Sequence, residues 1–222
     1  METFIYYLCG DNVISGEIMD LTVKIAEIYD GNPNMEFSIR EIAARLKATY
    51  SFVYKTVEKM TAEGVLIVTV KGRAKMCSLN LGSDKARALL AVVAVDKKEA
   101  FLRKYRAAGQ LLVEFVKEIA GENVYCIVLF GSYAKGLAAE KSDIDLLVVG
   151  NSRAVLTDRV NREANTLQMR YGKDINPIVL DRKMFVQSLR QEDVTVVKEA
   201  LANHVILLGF ERFWELERGS LK

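Results

Sequence analysis

Apolar residues early in the chain recur at helical spacing. Ile18, Leu21, Ile25 and Ile28 make one stripe, and the Gly and Pro of "DGNPN" (Asp30 to Asn34) close that helix. Ser38 stands as an N-cap with Glu41 three residues on, a capping box that predicts a helix through "IAARLK". After a break at Ala48 and Thr49, Val53, Val57 and Met60 predict a third helix, stopped by Glu63 and Gly64. The pattern then shortens. "VLIVTV" and "AKMCSLN" flank the turn Lys71 to Arg73 and predict a β-hairpin with a basic tip.

Helical periodicity returns from Ser83 to Ala120, with Phe101, Tyr105, Leu112, Phe115 and Ile119 on one stripe. Two β-rich runs follow, "VYCIVLF" (Val124 to Phe130) and "DLLVV" (Asp145 to Val149), joined through a short helix over "YAKGLAAEK". A helix from Leu156 to Tyr171 and a strand over Lys173 to Leu180 come next. The remainder reads as a helix, a strand or turn, and a last helix.

Composition narrows the class. Half of the 222 residues are apolar and about a quarter charged, the balance of a folded globular chain. The longest apolar run, "ALLAVVAV" (Ala88 to Val95), is too short for the roughly twenty residues of a membrane span. It suits burial against another copy of the chain, which leaves a homodimer open. The N-terminus lacks the basic and apolar regions of a signal peptide. Cys9, Cys77 and Cys126 are odd in number and widely spaced, as expected of reduced thiols in a cytoplasmic protein. The sole histidine, His204, has no partner at ligand spacing and reads as a surface or hinge residue, while Trp214 beside Phe210 and Phe213 reads as core.

The net charge of +2 does not mark the whole chain as a nucleic-acid binder. Its distribution says more: between Tyr50 and Lys75, five cations (Lys55, Lys59, Lys71, Arg73, Lys75) face two acids, Glu58 and Glu63. The stretch "SIREIAARLKATYSFVYKTVEKMTAEGVL" and the hairpin after it resemble the winged helix-turn-helix family. That resemblance implies a third helix in the major groove of duplex DNA and a wing on phosphates. Carried over, it puts Tyr50, Ser51, Tyr54 and Lys55 on bases or backbone, with Lys71, Arg73 and Lys75 on the wing. A docking or dimerisation module is the alternative.

The chemistry concentrates in "GSYAKGLAAEKSDIDLLVV". Residues two apart on a strand share a face, so Asp143 and Asp145 project together while Ile144 points inward. Adjacent carboxylates repel, and a hard divalent cation with oxygen ligands resolves the conflict. Gly131 permits close backbone approach, and Gly131 and Ser132 bring amides and a hydroxyl to the same rim, suited to phosphate. Gly-Ser, ten residues, then Asp-x-Asp resembles the nucleotidyltransferase superfamily that includes DNA polymerase beta, in particular its minimal prokaryotic members. The resemblance covers roughly Glu99 to Gly209. It implies transfer of a nucleoside monophosphate from an NTP, ATP foremost, with Mg²⁺ or Mn²⁺. It assigns Asp143 and Asp145 to metal and catalysis, and Gly131, Ser132, Lys135 and Ser142 to the nucleotide.

One position departs from that pattern. The family adds a third carboxylate from a later strand, and here Asn176 stands in its place, in "INP". Asn176 offers a carbonyl oxygen to metal but no base, and Asp174, two residues earlier, is the candidate to substitute in catalysis. Pro177 removes a ladder N–H, which places this strand at an edge or distorts it. The expected fold is α+β: a winged helix-turn-helix over residues 1–82, a helical connector over 83–120, and an α/β nucleotidyltransferase domain with a mixed sheet over 121–222. Three functions stay open: a transferase acting on an unknown acceptor, a nucleotide-sensing transcriptional regulator with a degenerate site, and an antitoxin that nucleotidylates a toxin-like partner.

Overall fold

The computed structural model describes residues 16–191, 193 and 195–217, with side chains from residue 21 to residue 216. Cys9 and the N-terminal segment read above for a signal peptide lie outside them. The chain divides into two compact units, with the boundary between Leu89 and Leu90.

In the first unit, α1 (Gly16–Glu27) precedes a three-residue strand, β1 (Glu36–Ser38), that the sequence pattern is too short to announce. Ser38 then caps α2 (Ile39–Leu46): its Oγ accepts from the Glu41 amide, and the Glu41 carboxylate accepts from the Ser38 amide at 2.7 Å. That reciprocal pairing satisfies donors that a helix start leaves bare. Lys47 ends α2 in the left-handed conformation, and α3 (Tyr50–Ala62) follows, burying Val53, Val57 and Met60. β2 (Leu66–Lys71) and β3 (Ala74–Leu79) form the expected hairpin around Gly72, whose φ is 61°. β1 adds to β3, giving an antiparallel sheet in the order β1-β3-β2.

The helical region over 83–120 is two helices, α4 (Asp84–Lys104) and α5 (Arg106–Ile119), broken at Tyr105. Of the apolar run within α4, Leu90, Val93 and Ala94 are already buried in the chain itself, whereas Val92 and Val95 stay exposed.

The second unit is built on a four-stranded mixed sheet in the order β6-β5-β4-β7. The central strands β4 (Val124–Phe130) and β5 (Ile144–Gly150) pair antiparallel and read as near-continuous apolar runs, because both of their faces are covered. On one face, Ile127, Leu129, Leu146 and Val148 join Leu112, Phe115 and Ile119 of α5 and Val160, Ala164 and Leu167 of α7 (Arg153–Tyr171) in a single core. The opposite residues, Cys126, Val128, Leu147 and Val149, are equally buried. β6 (Ile175–Asp181) runs parallel to β5 at the edge, where Pro177 costs no ladder bond to a further strand. α8 (Arg182–Arg190), α9 (Val196–Ala202), β7 (Val205–Leu208) and α10 (Phe210–Glu217) complete the unit.

Three expectations need correction or completion. The helix over "YAKGLAAEK" is only one turn, α6 (Gly131–Ala134), because Gly136 takes a φ of 71° and the Leu137 amide folds back onto the Ser132 carbonyl. His204 is 3% exposed, not a surface residue: its ring packs against Phe213 and Trp214, with centroids 5.2 and 5.5 Å away. Cys77 and Cys126 are free and buried as expected, and burial pushes their thiols up to about 11 and about 12. Among the described residues, no helix is long and apolar enough to cross a membrane.

Candidate functional site

β4 ends at Phe130, directly opposite Asp145 in the antiparallel register, and the chain turns at Gly131 into α6. Gly131 has a φ of 70°, in the left-handed region that glycine enters without strain. A Cβ at this position would collide with the Asp145 carboxylate, its Cγ lying at 3.1 Å. The turn therefore needs glycine twice over, for its dihedral and for the close seating of Asp145.

Asp143 is exposed at the entrance of β5, Ile144 is fully buried, and Asp145 is half-buried on the same side as Asp143. The alternation expected from the strand is present. Across the parallel ladder Asp145 registers with Asn176 of β6, whose Nδ2 lies 3.4 Å from Asp143 Oδ2. Asp145 holds its proton more tightly than an ordinary aspartate. Burial is the main cause; a hydrogen bond from Asn176 opposes it, the charges of Asp143 and Glu199 add to it, and that of Lys135 opposes it. Mutual repulsion of the two aspartates, foremost in the sequence pattern, is thus secondary to desolvation.

The remaining expected residues are distributed less simply. Lys135 caps α6 and its Nζ lies 2.8 Å from Glu199 Oε1 on α9. Ser132 is part-exposed on the turn, while the Ser142 hydroxyl accepts from the Ala139 amide at 2.9 Å and closes the loop before Asp143. Asp174 precedes β6: its carbonyl accepts from the Ile144 amide at 2.9 Å, and its exposed carboxylate accepts from the Gln168 side chain. Glu199 is not marked by the sequence at all. Nothing local distinguishes it, because its partner is 64 residues away.

Asp143 and Asp145 are hard oxygen donors gathered at one strand end, a pair that suits Mg²⁺ or Mn²⁺, whereas Asn176 turns its amide nitrogen toward them and offers its carbonyl oxygen only if the amide turns over. Among the described residues, no three of His, Cys, Asp and Glu come together to hold a metal. A cation here would take two carboxylates, with water and substrate oxygens completing its shell.

In the first unit, Tyr50, Ser51 and Lys55 are exposed on α3, and Tyr54 is part-buried beside them. Lys75 Nζ donates to the Tyr54 hydroxyl at 3.0 Å and lies 4.9 Å from its ring centroid, joining α3 to the hairpin. Lys71 pairs with Glu36 of β1, and Arg73 is exposed at the hairpin tip.

Residues 110–208, from α5 to the end of β7, match the family model described as "Nucleotidyltransferase domain". A provisionally named protein adenylyltransferase of Methanocaldococcus jannaschii is 34% identical over 121 residues, which cover 50% of this chain and 79% of that protein. A second protein of the same organism, with the same provisional name, is 46% identical over 59 residues, covering 27% and 56%. Two solved structures also align: a provisionally named nucleotidyltransferase from Sulfolobus solfataricus (22% identity, 51% of this chain and 84% of that one), and a toxin–antitoxin with AMP-PNP (17%, 50% and 90%). Their TM-scores of 0.28 are too low to bear on the fold. The sequence likeness is another matter. With one relative matched over most of its own length and the family match spanning both strands of the aspartate site, the chain belongs to the nucleotidyltransferase domain family.

Proposed function

We propose that this nucleotidyltransferase moves AMP from ATP to a hydroxyl group on a protein, at the site formed by Gly131, Ser132, Lys135, Asp143 and Asp145. The observation that carries the reading is the seating of the Asp145 carboxylate against the Gly131 turn, with Asp143 beside it. The provisional names of the two M. jannaschii relatives support ATP as donor and protein as acceptor.

In this reading the Gly131–Ser132 turn and the Lys135 ammonium receive phosphate oxygens, and Asp143 and Asp145 would hold Mg²⁺ or Mn²⁺, joined by the Asn176 carbonyl once its amide turns over. A divalent cation bound there neutralises charge on the reacting phosphate and on the leaving pyrophosphate. The acceptor oxygen bonds to the α-phosphorus as the bond to the pyrophosphate oxygen breaks, and the acceptor's proton must leave. Asn176 cannot take it. Asp174 can do so only through a carboxylate that already accepts from Gln168 on one of its two oxygens. General-base assistance is worth about 10²–10⁴ in rate, so transfer is slow relative to a three-carboxylate site.

Asn176 in register with Asp145 also favours a second reading, in which the domain binds nucleotide as a sensor without transferring it. Calorimetry with Mg²⁺ and ATP tests what the two share: Asp143→Ala with Asp145→Ala abolishes nucleotide binding, and unchanged affinity would move the site elsewhere.

We infer further that residues 1–82 are a winged helix-turn-helix that docks on duplex DNA. α3 would present Tyr50, Ser51, Tyr54 and Lys55, and the hairpin Lys71, Arg73 and Lys75. The helix-strand-helix-helix-hairpin order and the Lys75–Tyr54 link between α3 and the hairpin support it.

A further inference from the structure

Lys135 poses a problem for the site just described. It caps the one-turn helix whose first residue, Gly131, abuts Asp145, and its charge acts on that carboxylate; a lysine on a flexible four-carbon stem is drawn to Asp145 and to the Asp143 next to it. An ammonium seated on either aspartate would cancel the charge that a divalent cation needs. Yet its nitrogen lies 2.8 Å from Glu199, on another element.

We propose that Glu199 is a positioning residue: it draws the Lys135 ammonium away from Asp143 and Asp145, leaving the two carboxylates available to a divalent cation and the lysine available to phosphate. This rests on the reading of Asp143 and Asp145 as the metal-binding pair.

The placement of Glu199 is firm. Thr195 caps α9, its Oγ accepting from the Lys198 amide at 3.3 Å and donating to the Ser188 carbonyl at 3.2 Å. Val197 and Ala200 are buried, which fixes the helix face and leaves Glu199 turned toward α6. The Lys135 and Glu199 side chains are 37% and 40% exposed, so the ion pair is a weak one and can open when a triphosphate competes for the lysine. The charges of both residues act on Asp145 with opposite sign, so they are near enough to matter to the pair. Remove Glu199, and the Lys135 ammonium is left with its attraction to Asp145.

Mn²⁺ titration of the full chain by calorimetry, without nucleotide, tests this. Glu199→Gln and Glu199→Ala each weaken Mn²⁺ binding about fivefold, the scale of an exposed ion pair. Glu199→Asp restores most of it. Lys135→Ala alone does not weaken it, and Lys135→Ala combined with Glu199→Gln returns affinity to the wild-type level, because no ammonium remains to occupy the site. Thermal melts of all variants stay with the wild type, since the residues exchanged are part-exposed. Wild-type affinity in the Glu199 variants overturns the proposal. So does a double variant as weak as Glu199→Gln, which would make Glu199 a ligand rather than a positioner. If the wild type binds no Mn²⁺, or Asp143→Ala with Asp145→Ala binds it unchanged, the metal-site reading fails and takes this inference with it.

Discussion

Gly131→Ala separates the two demands made on the glycine turn. The first is conformational: at a φ of 70° an alanine costs about 1–2 kcal/mol relative to glycine. The second is spatial: the new Cβ meets Asp145, with Cγ at 3.1 Å and Cβ at 3.3 Å, and the carboxylate must swing away. Forcing it off its rotamer adds about 0.5–1.5 kcal/mol. Gly172→Ala is the control in the same unit, since its φ is 63° and a Cβ there meets nothing within 4 Å. Denaturant unfolding gives both stabilities, and Mn²⁺ titration reports on the carboxylate. Gly172→Ala loses about 1–2 kcal/mol and binds Mn²⁺ as the wild type does. Gly131→Ala loses about 1 kcal/mol more. Its Mn²⁺ affinity falls about tenfold, or ~1.4 kcal/mol. In the Asp145→Ala background the extra stability loss shrinks, because most of the atoms it met are gone. A Gly131→Ala protein that binds Mn²⁺ normally, or loses no more stability than Gly172→Ala, would overturn this explanation of the turn.

Other consequences follow from individual residues. Asn176→Asp restores a third carboxylate and raises the transfer rate measured with saturating nucleotide by at least about tenfold, toward the roughly 10²–10⁴ typical of a general base; if Asp174 already serves, Asp174→Asn stops transfer and Asn176→Asp changes little. Replacing Arg73 and Lys75 with Ala flattens the salt dependence of duplex-DNA binding by about 0.9 in log–log slope for each phosphate no longer neutralised, and an unchanged slope removes the hairpin from the interface. The bond from Ser38, together with the nearby Arg45 charge, holds the Glu41 carboxyl below its ordinary value. Its folded value being depressed, Glu41 contributes stability above its unfolded value of 4.5, lost as pH falls through the lower folded value. Glu41→Gln removes that acid-side dependence in unfolding titrations of the first unit.

Short-range physics made much of this readable in the sequence. The Ser38–Glu41 capping box spans three residues, and the Asp143–Ile144–Asp145 alternation follows from the strand period alone. Pro177 signalled an edge because it lacks a donor, and β6 is an edge strand. What stayed hidden depends on tertiary partners. Glu199 acquires its role from Lys135, 64 residues away. His204 is polar and reads as surface, but the rings of Phe213 and Trp214 enclose it. The break between α4 and α5 carries neither Pro nor Gly at Tyr105, so no local signal marks it. β1, at three residues, is below the length at which alternation can be recognised.

Nucleotidyl transfer at the Asp143–Asp145 pair stands or falls on where the label in ATP goes. Protein is incubated with Mg²⁺, a cell lysate and ATP labelled either at the α- or at the γ-phosphate, and products are resolved by gel and autoradiography. Transfer gives a protein band labelled from the α-phosphate only, with release of pyrophosphate, and both vanish with Asp143→Ala and Asp145→Ala. No α-labelled product from ATP, with Mg²⁺ or with Mn²⁺ in its place, or a band that survives loss of both aspartates, would rule out adenylyl transfer at this pair.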